Sequence, residues 1–333
     1  MARTAPARPR RGTGGLLAIC CLAVLTACSA PQSALDTGGP SARRLAGLWW
    51  GLLAVAAVVW LIVVFCIVWA VVLRRGSEVR PRSGGTRTVV VAGLVVPALV
   101  LIGTFVAGVA VMRAEAGPPD EPVLSIEVVG HLWWWEVRYP DFTTANEIHI
   151  PVGRSVHVEL RTADVIHSFW VPSLTSKTDL IPNQDNELWL QADEPGEYRG
   201  QCAEFCGTQH AGMAFLVVAE PADEFDAWLA DQAEPAQTPT DELAARGQQV
   251  LETQSCASCH TVRGTAADGE VGPDLTHFGS RQTLGAGVAP NDPGWLGGWI
   301  ANSQTIKPGN LMPPQPLSPE DLNAVIAYLE SLE

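Results

Sequence analysis

The 333-residue sequence is 47% apolar and carries a formal net charge of −14, distributed very unevenly along the chain. Residues 1–113 contain 12 Lys and Arg against 2 Asp and Glu, whereas residues 114–333 contain 9 against 33. Such an acidic segment repels nucleic acid and attracts cationic partners. The length suffices for a membrane anchor and two domains of about 100 residues each. We therefore exclude a nucleic-acid partner and a single-domain chain.

The N-terminus has the layout of an export signal. Four arginines precede the apolar stretch 16–27, which ends in small residues, as in a secretory signal peptide. The last residues of this stretch and Cys28 read Leu-Thr-Ala-Cys and resemble a bacterial lipobox, in which Cys28 would be lipidated. The alternative is a chance cysteine after an ordinary signal. We predict a lipoprotein-type signal peptide over 1–27.

Two long apolar runs follow, 45–73 and 89–112, and neither contains Asp, Glu, Lys or Arg. Each exceeds the ~20 residues with which a helix crosses a bilayer, so we predict a two-helix transmembrane hairpin. The segment 74–87 between them contains five Arg and one Glu, which places it in the cytoplasm. The N-terminus and the C-terminal domains are then expected on the extracytoplasmic face of a bacterial plasma membrane.

Short alternating stretches begin after the second apolar run. Apolar and polar residues alternate in 124–128, 148–152 and 156–160, with Pro and Gly in the intervening breaks, which is typical of an all-β sandwich or barrel. The same alternation places His149 and His157 on the polar face, where we expect them to be solvated. The sequence predicts a β domain over 120–231 and a linker over 232–240.

The end of this domain is rich in soft metal ligands. Cys202, Cys206, His210 and Met213 supply two thiolates, an imidazole and a thioether at spacings of 4, 4 and 3, a combination suited to copper. A blue-copper site uses one thiolate, so the second cysteine suggests two bridged copper ions. A Cys202–Cys206 disulfide and a zinc site are the alternatives, and neither explains Met213.

These residues, with the motifs 130–136 (GHLWWWE) and 164–172 (DVIHSFWVP), resemble cytochrome c oxidase subunit II. The resemblance implies a cupredoxin-like sandwich that holds a binuclear copper centre. The implied copper ligands are His167, Cys202, Glu204 (through its carbonyl), Cys206, His210 and Met213. It also implies that the Glu204 carboxylate helps bind a magnesium ion shared with subunit I. Trp133 would be the residue where electrons enter, although three adjacent tryptophans are equally compatible with a packed contact.

The C-terminal domain, predicted over 241–333, contains the signature of covalent haem attachment. Cys256 and Cys259 enclose two residues and are followed by His260. In this motif the two thiols bind the haem vinyl groups and the imidazole binds the iron. A redox-active or zinc-binding CxxC is the alternative.

A second axial ligand is expected downstream of the motif. Met312 supplies a thioether, which raises the potential of a haem, and His277 is the competing ligand. The stretches 272–275 and 310–314 resemble a class I cytochrome c, which favours Met312 and implies a small all-α domain. Within it, a helix whose apolar face contains Leu322 and Leu329 is expected to pack on a helix around 243–251.

The two resemblances together imply subunit II of a haem-copper cytochrome c oxidase. Its haem c would receive electrons and its copper pair would pass them to subunit I, where oxygen is reduced to water with proton translocation. The implied partners are subunit I, subunit III and an upstream cytochrome c or cytochrome bc complex. The alternatives are the equivalent subunit of a nitric oxide reductase that contains a copper pair, and a membrane-tethered electron carrier that needs no subunit I.

Overall fold

A computed structural model describes residues 32–73, 85–117 and 121–333. The predicted signal peptide, the lipidation site Cys28 and most of the Arg-rich segment between the apolar runs lie outside the described residues. The described residues form a pair of apolar helices, a β sandwich and a helical C-terminal domain in chain order. The predicted fold class is therefore confirmed.

Two long apolar helices precede the β domain. The first, α1, spans Pro40–Val68 and continues as a π-helix over Trp69–Leu73. The second comprises α2 (Gly85–Val90), a π-helix (Val91–Val95) and α3 (Val96–Glu115). The two spans have mean hydropathies of 3.1 and 2.7, and an 18-residue apolar window in each contains no buried residue. Because so much exposed apolar surface is rare on soluble proteins, the helices indicate a membrane anchor.

The outer ends of these helices are joined to each other and to the β domain. Glu115, at the end of α3, accepts hydrogen bonds from Ser41 Oγ and from Arg44 Nε near the start of α1, the latter at 2.6 Å. Just before α1, Gly38 N donates to Ser173 O in the β domain at 2.7 Å. The β domain is thus attached to the anchor by direct hydrogen bonds as well as by the chain.

The β domain consists of two five-stranded sheets with the orders β3-β2-β1-β5-β8 and β4-β10-β9-β6-β7. The pairs β1/β5 and β4/β10 are parallel, and the other pairs are antiparallel. The strands are β1 Leu124–His131, β2 Trp134–Arg138, β3 Thr143–Ala145, β4 Glu147–Pro151, β5 Val156–Thr162, β6 His167–Trp170, β7 Thr178–Leu180, β8 Asn186–Leu190, β9 Gly196–Cys202 and β10 Ala214–Glu220. This is the sandwich that the alternating pattern predicts.

Aromatic side chains from both sheets fill the space between them. Trp135 is fully buried, and the rings of Phe169 in β6 and Phe215 in β10 meet it edge to face, with centroids at 6.0 and 5.2 Å. Such pairs contribute about 0.5–1.5 kcal/mol beyond their buried area. Gly200 in β9 lies against the Phe215 ring, which a side chain at this position would overlap. These contacts hold β6, β9 and β10 in place, and all three strands border the predicted metal site.

The C-terminal domain contains three α-helices and a short β-hairpin among its residues, all of which are described. The elements are α5 Glu242–Thr253, β11 Thr283–Leu284, β12 Ala289–Pro290, α6 Pro293–Asn302 and α7 Pro319–Glu330. Before α5, a helix α4 (Ala222–Ala233) packs against the β domain. It extends two residues into the predicted linker.

Helices α5 and α7 cross at a glycine. A Cβ at Gly247 would overlap the backbone carbonyl of Ala324, so the two helices approach more closely than larger residues allow. Leu329 is buried at this contact and Leu322 lies at its edge, which confirms the predicted pairing of the two helices. Ser318 begins α7 as an N-cap, and its side chain accepts from the backbone amide of the third helical residue.

The predicted solvation of two histidines is wrong. His149 and His157 do lie on the polar faces of their strands, but their side chains are only 13% and 16% exposed. His149 stacks on Trp228 with ring centroids 4.0 Å apart, and His157 stacks on Trp189 at 4.6 Å. A tryptophan from a neighbouring element covers each imidazole, and alternation within one strand does not reveal such a neighbour.

Candidate functional site

The predicted metal ligands meet at one end of the sandwich. Cys202 ends β9 and Met213 immediately precedes β10, so the donor loop (202–213) joins two antiparallel neighbours. Cys202 N donates to Met213 O at 2.9 Å, which closes the loop at its base. His167 begins β6, the other neighbour of β9, and Phe169 pairs with Cys202 across these strands. The sheet therefore brings His167 to the donor loop.

The donor atoms of the predicted ligand set lie close together. The distances are 3.8 Å for Cys202 Sγ to Cys206 Sγ, 3.9 Å for Cys202 Sγ to His167 Nδ1, 3.7 Å for Cys206 Sγ to His210 Nδ1 and 3.8 Å for Cys206 Sγ to Met213 Sδ. The backbone carbonyl of Glu204 lies 3.2 Å from Cys202 Sγ. The structure thus gathers every predicted copper ligand at one site.

The sulfur positions decide against the disulfide alternative. Cys202 and Cys206 are free thiols 3.8 Å apart, whereas bonded sulfurs lie ~2.05 Å apart. Two thiolates on one ion, each at about 2.3 Å in tetrahedral geometry, are roughly 3.8 Å apart. Met213 is 1% exposed and turns a thioether toward this pair, a soft ligand that suits copper better than zinc. The donor set therefore fits a copper centre.

An outer hydrogen bond orients His167. Asp164 Oδ1 lies 2.8 Å from His167 Nε2, and His167 Nδ1 faces the Cys202 thiol. A carboxylate on the outer nitrogen commonly orients a metal-binding histidine in this way. Burial opposes protonation of His167, but its hydrogen bonds to Asp164 and Cys202 outweigh burial and raise its pKa. Gly130 lies against the ring, where an added Cβ would approach Cδ2 to 2.9 Å. A side chain at Gly130 would therefore displace the imidazole.

The thiols of Cys202 and Cys206 interact across 3.8 Å. The hydrogen bond from Cys206 lowers the pKa of the Cys202 thiol to about 3, despite its burial. The same hydrogen bond raises the pKa of Cys206. Because metals bind cysteine as the thiolate, the lowered pKa of Cys202 favours metal binding, and metal binding releases protons from the pair.

Two further predicted residues flank the donor loop. Trp133 is half-buried, and its Nε1 donates to Cys206 O at 2.8 Å, which connects the indole directly to a backbone group of the loop. The Glu204 side chain is 45% exposed and its carboxylate lies 3.8 Å from Lys177 Nζ. It faces outward, where a partner subunit can reach it, and its role in magnesium binding stays a prediction.

The CxxCH motif lies just after α5. Cys256 and Cys259 are free and partly exposed. His260 Nδ1 donates to Pro273 O at 2.8 Å, which leaves Nε2 available for a metal. Burial lowers the pKa of His260 and keeps the ring in the neutral form that ligation requires. Gly272 lies against the imidazole, with an added Cβ only 2.6 Å from Cε1, so this residue leaves room for the ring. These contacts fit an axial haem ligand.

The two candidates for the second iron ligand differ in whether their side chains are already hydrogen-bonded. His277 is buried, and its ring nitrogens lie 2.7 Å from Glu333 O and 3.0 Å from Glu234 O. Each nitrogen therefore lies at hydrogen-bonding distance from a backbone oxygen, to one of which a neutral ring donates. Met312 lies on a loop whose backbone is held by Gln304, which donates to Met312 O at 3.1 Å. The structure disfavours His277, and iron binding by Met312 stays a prediction.

The sequence did not predict the residues that join the two domains near the donor loop. Lys307, in the C-terminal domain, is 2% exposed and donates to Gly212 O at 2.8 Å. Glu147, in β4, accepts from Gln282 N at 2.7 Å, and burial raises its pKa. A single lysine or glutamate has no informative spacing, so no signal in the sequence could have identified either contact.

Comparisons with known proteins cover both domains. Residues 143–220 match the family "Cytochrome C oxidase subunit II, periplasmic domain", and residues 244–333 match "Cytochrome c". Cytochrome c oxidase subunit 2 of Alkalihalophilus pseudofirmus is 38% identical over 329 residues, which cover 93% of this chain and 94% of that protein. The protein of the same name from Bacillus subtilis is 32% identical over 283 residues, which cover 78% and 79%. The solved periplasmic domain of cytochrome oxidase subunit II from Bradyrhizobium japonicum is 32% identical, covers 33% of this chain and 94% of that one, and has a TM-score of 0.32.

The fold, the donor loop and the CxxCH motif define a membrane-anchored electron-transfer protein with a metal-binding β domain and a cytochrome c domain. The chain belongs to the cytochrome c oxidase subunit II family. It is thus a component of a haem-copper oxidase complex, consistent with association with subunit I. The match of residues 143–220 to a periplasmic domain indicates an extracytoplasmic β domain.

Proposed function

We propose that this chain receives electrons at a haem c in its C-terminal domain and passes them through a binuclear copper centre to subunit I, where oxygen is reduced to water with proton translocation. One observation carries the proposal: two free thiols 3.8 Å apart are surrounded by two imidazole nitrogens and a thioether. The anchor would lie in a bacterial plasma membrane, and subunit III and an upstream cytochrome c or cytochrome bc complex would be further partners.

The copper site would be held by the donor loop and His167. When bound, a copper pair shares one electron between two ions, which reduces the rearrangement that accompanies electron transfer. The protein contributes rigidity, because the loop is closed by the Cys202–Met213 backbone hydrogen bond and His167 is fixed by Asp164. It also excludes water, since Cys202, His167 and Met213 are all buried.

The haem would be attached through Cys256 and Cys259, and His260 and Met312 would bind its iron. The Pro273 carbonyl supports iron binding by His260. It accepts a hydrogen bond from Nδ1, which fixes the tautomer of the ring and leaves Nε2 free. The exposed Glu204 carboxylate would contribute to a magnesium site completed by subunit I. Trp133 would carry electrons toward the copper site through its hydrogen bond to Cys206 O.

Spectroscopy of the purified oxidase complex tests this proposal. Anaerobic optical and electron paramagnetic resonance spectra of the reduced and oxidised complex should show haem c and a mixed-valence copper pair. Both the haem and the copper pair should be reoxidised when oxygen is added to the reduced complex. Nitric oxide consumption without oxygen consumption would instead favour a nitric oxide reductase subunit. Purification of the chain alone, without a many-span haem protein, would favour a tethered electron carrier.

Replacing Met312 by histidine is expected to lower the reduction potential of haem c while the haem stays covalently attached. The expected decrease is on the order of a hundred millivolts, within the roughly 0.8 V range that axial ligands span. A redox titration followed by haem absorbance measures it. The matched control is His277→Asn, which should leave the potential unchanged. A changed potential in the control but not in Met312→His would assign the ligand to His277.

A further inference from the structure

Two segments of the C-terminal domain cover the donor loop. The first is the hairpin region 283–288, where Ala214 N donates to Ala286 O at 3.0 Å, directly after Met213. The second is 307–310, where Pro308 O accepts from Gln209 Nε2 at 2.7 Å. The C-terminal domain therefore contacts the loop itself, in addition to β4 and β9, where Gln282 donates to Glu147 and Glu197.

Lys307 lies at the centre of this contact. Its Nζ donates to Trp133 O at 2.7 Å, Gly212 O at 2.8 Å and Gly285 O at 2.7 Å. These three bonds use all three N–H groups of the ammonium. Trp133 and Gly212 belong to the β domain, whereas Gly285 belongs to the hairpin of the C-terminal domain. One side chain thus binds the backbone of both domains.

The environment of Lys307 is unusual for a cation. The side chain is 2% exposed, and no carboxylate within residues 32–73, 85–117 and 121–333 forms an ion pair with it. Burial lowers its pKa to about 7. A buried ammonium is retained only where its hydrogen bonds are satisfied, and the three carbonyls meet this requirement only while the domains are in contact.

The acceptors of Lys307 adjoin the predicted copper ligands. Gly212 O is the carbonyl of the peptide bond that leads to Met213, and the Trp133 indole donates to Cys206 O at 2.8 Å. The C-terminal domain approaches closely here, since an added Cβ at Gly309 would lie 3.3 Å from Thr208 Oγ1 and in van der Waals contact with the Trp133 ring, at 4.0 Å. The indole is therefore partly covered by the C-terminal domain.

The same segment leads to the predicted haem ligand. Lys307 precedes Met312 by five residues, and Asn310 connects the two, because its Nδ2 donates to Lys307 O at 2.7 Å and its Oδ1 accepts from Met312 N at 2.9 Å. Ser303 Oγ also donates to Met312 O at 2.9 Å. A movement of Lys307 would therefore be transmitted to the Met312 loop.

We propose that Lys307 is a positioning residue that holds the C-terminal domain on the donor loop and thereby fixes the route of electrons from the haem to the copper site. In this arrangement Trp133 receives electrons from within the chain, and an external donor docks on the C-terminal domain. The electron-transfer part rests on the function proposed above. The docking part rests only on contacts between protein groups.

Hydrogen–deuterium exchange of the purified complex tests the docking. In Lys307→Met, which keeps the length but has no donor, peptides over 207–214 and 283–288 should exchange about tenfold faster or more. Peptides from α5 and α7 should be unchanged. The control is Arg154→Met, which removes a charge from an exposed position of the β domain and should match the parent.

Pulse radiolysis of the same samples tests the electron route. Haem c and copper spectra should be intact in Lys307→Met, while electron transfer between them slows by about tenfold or more. Lys307→Arg, which keeps the charge, should recover part of the rate. The proposal would be overturned if Lys307→Met had the same hydrogen–deuterium exchange and the same rate of electron transfer from haem to copper as the parent. Faster hydrogen–deuterium exchange with an unchanged rate of electron transfer would overturn only the claim that Lys307 fixes the electron route.

Two further outcomes are distinguishable. If Lys307→Met does not assemble, Lys307→Gln is judged by the same two measurements. If the parent complex shows no copper signal, the proposed function fails, but the exchange experiment still decides whether Lys307 holds the two domains together.

Discussion

Cys206→Ser is expected to remove the copper-pair signal from the electron paramagnetic resonance spectrum and to abolish electron transfer to subunit I. Cys206 Sγ lies between Cys202, His210 and Met213 at 3.7–3.8 Å, so its loss affects contacts with all three. Metal affinity should decrease by more than the roughly 10–100-fold that removal of an outer hydrogen-bond partner causes. Haem c absorption should persist, because the haem site lies in the other domain.

The matched control is Cys66→Ser. Cys66 is an exposed thiol on α1, in the membrane anchor and outside the donor loop, so this variant should retain both spectra and the parental oxygen consumption. A copper-pair signal that survives in Cys206→Ser would contradict the assignment of this residue as a copper ligand.

Gly247→Ala is expected to destabilise the C-terminal domain by about 1–3 kcal/mol, the usual range for overpacking in a well-packed core. The added methyl would overlap the Ala324 carbonyl oxygen of α7, and a backbone group cannot move aside as a flexible side chain does. Helix propensity alone predicts the opposite sign, since alanine is favoured over glycine by about 1 kcal/mol. Thermal unfolding of the complex, monitored by haem c absorption, measures the difference.

Gly298→Ala provides the control for this substitution. Gly298 is exposed on α6, and an added Cβ would meet Ile306 at 3.7 Å, an ordinary contact distance. This variant should be as stable as the parent or slightly more stable. Equal stabilisation by both substitutions would show that α5 and α7 do not form the close crossing seen in the structure.

The donor loop could be predicted because its ligands are local. Cys202, Cys206, His210 and Met213 fall within twelve residues, and their chemical types alone indicate copper. His167 lies 35 residues before Cys202 and was assigned by family resemblance, since no spacing rule connects β6 to the loop. The structure supplies the physical link, which is the pairing of β6 with β9.

The contacts between the domains could not be predicted. Lys307 and Trp133 are 174 residues apart, and their meeting depends on how two independently recognisable domains fit together. Local patterns describe each domain by itself. The same limit explains the error at His149, because Trp228, which covers it, lies in α4, outside the strand pattern from which solvation was inferred.

The hydrogen bonds of Glu115 with Ser41 and Arg44, and of Gly38 with Ser173, join the outer ends of both helices to the β domain. Such a junction restricts the tilt of the domain and its height above the bilayer. Encounter with another membrane subunit then requires a search over lateral position and rotation about the membrane normal only. Orientational constraints are a main reason why protein association is slow. The anchor therefore reduces the orientational search that assembly with a partner subunit requires.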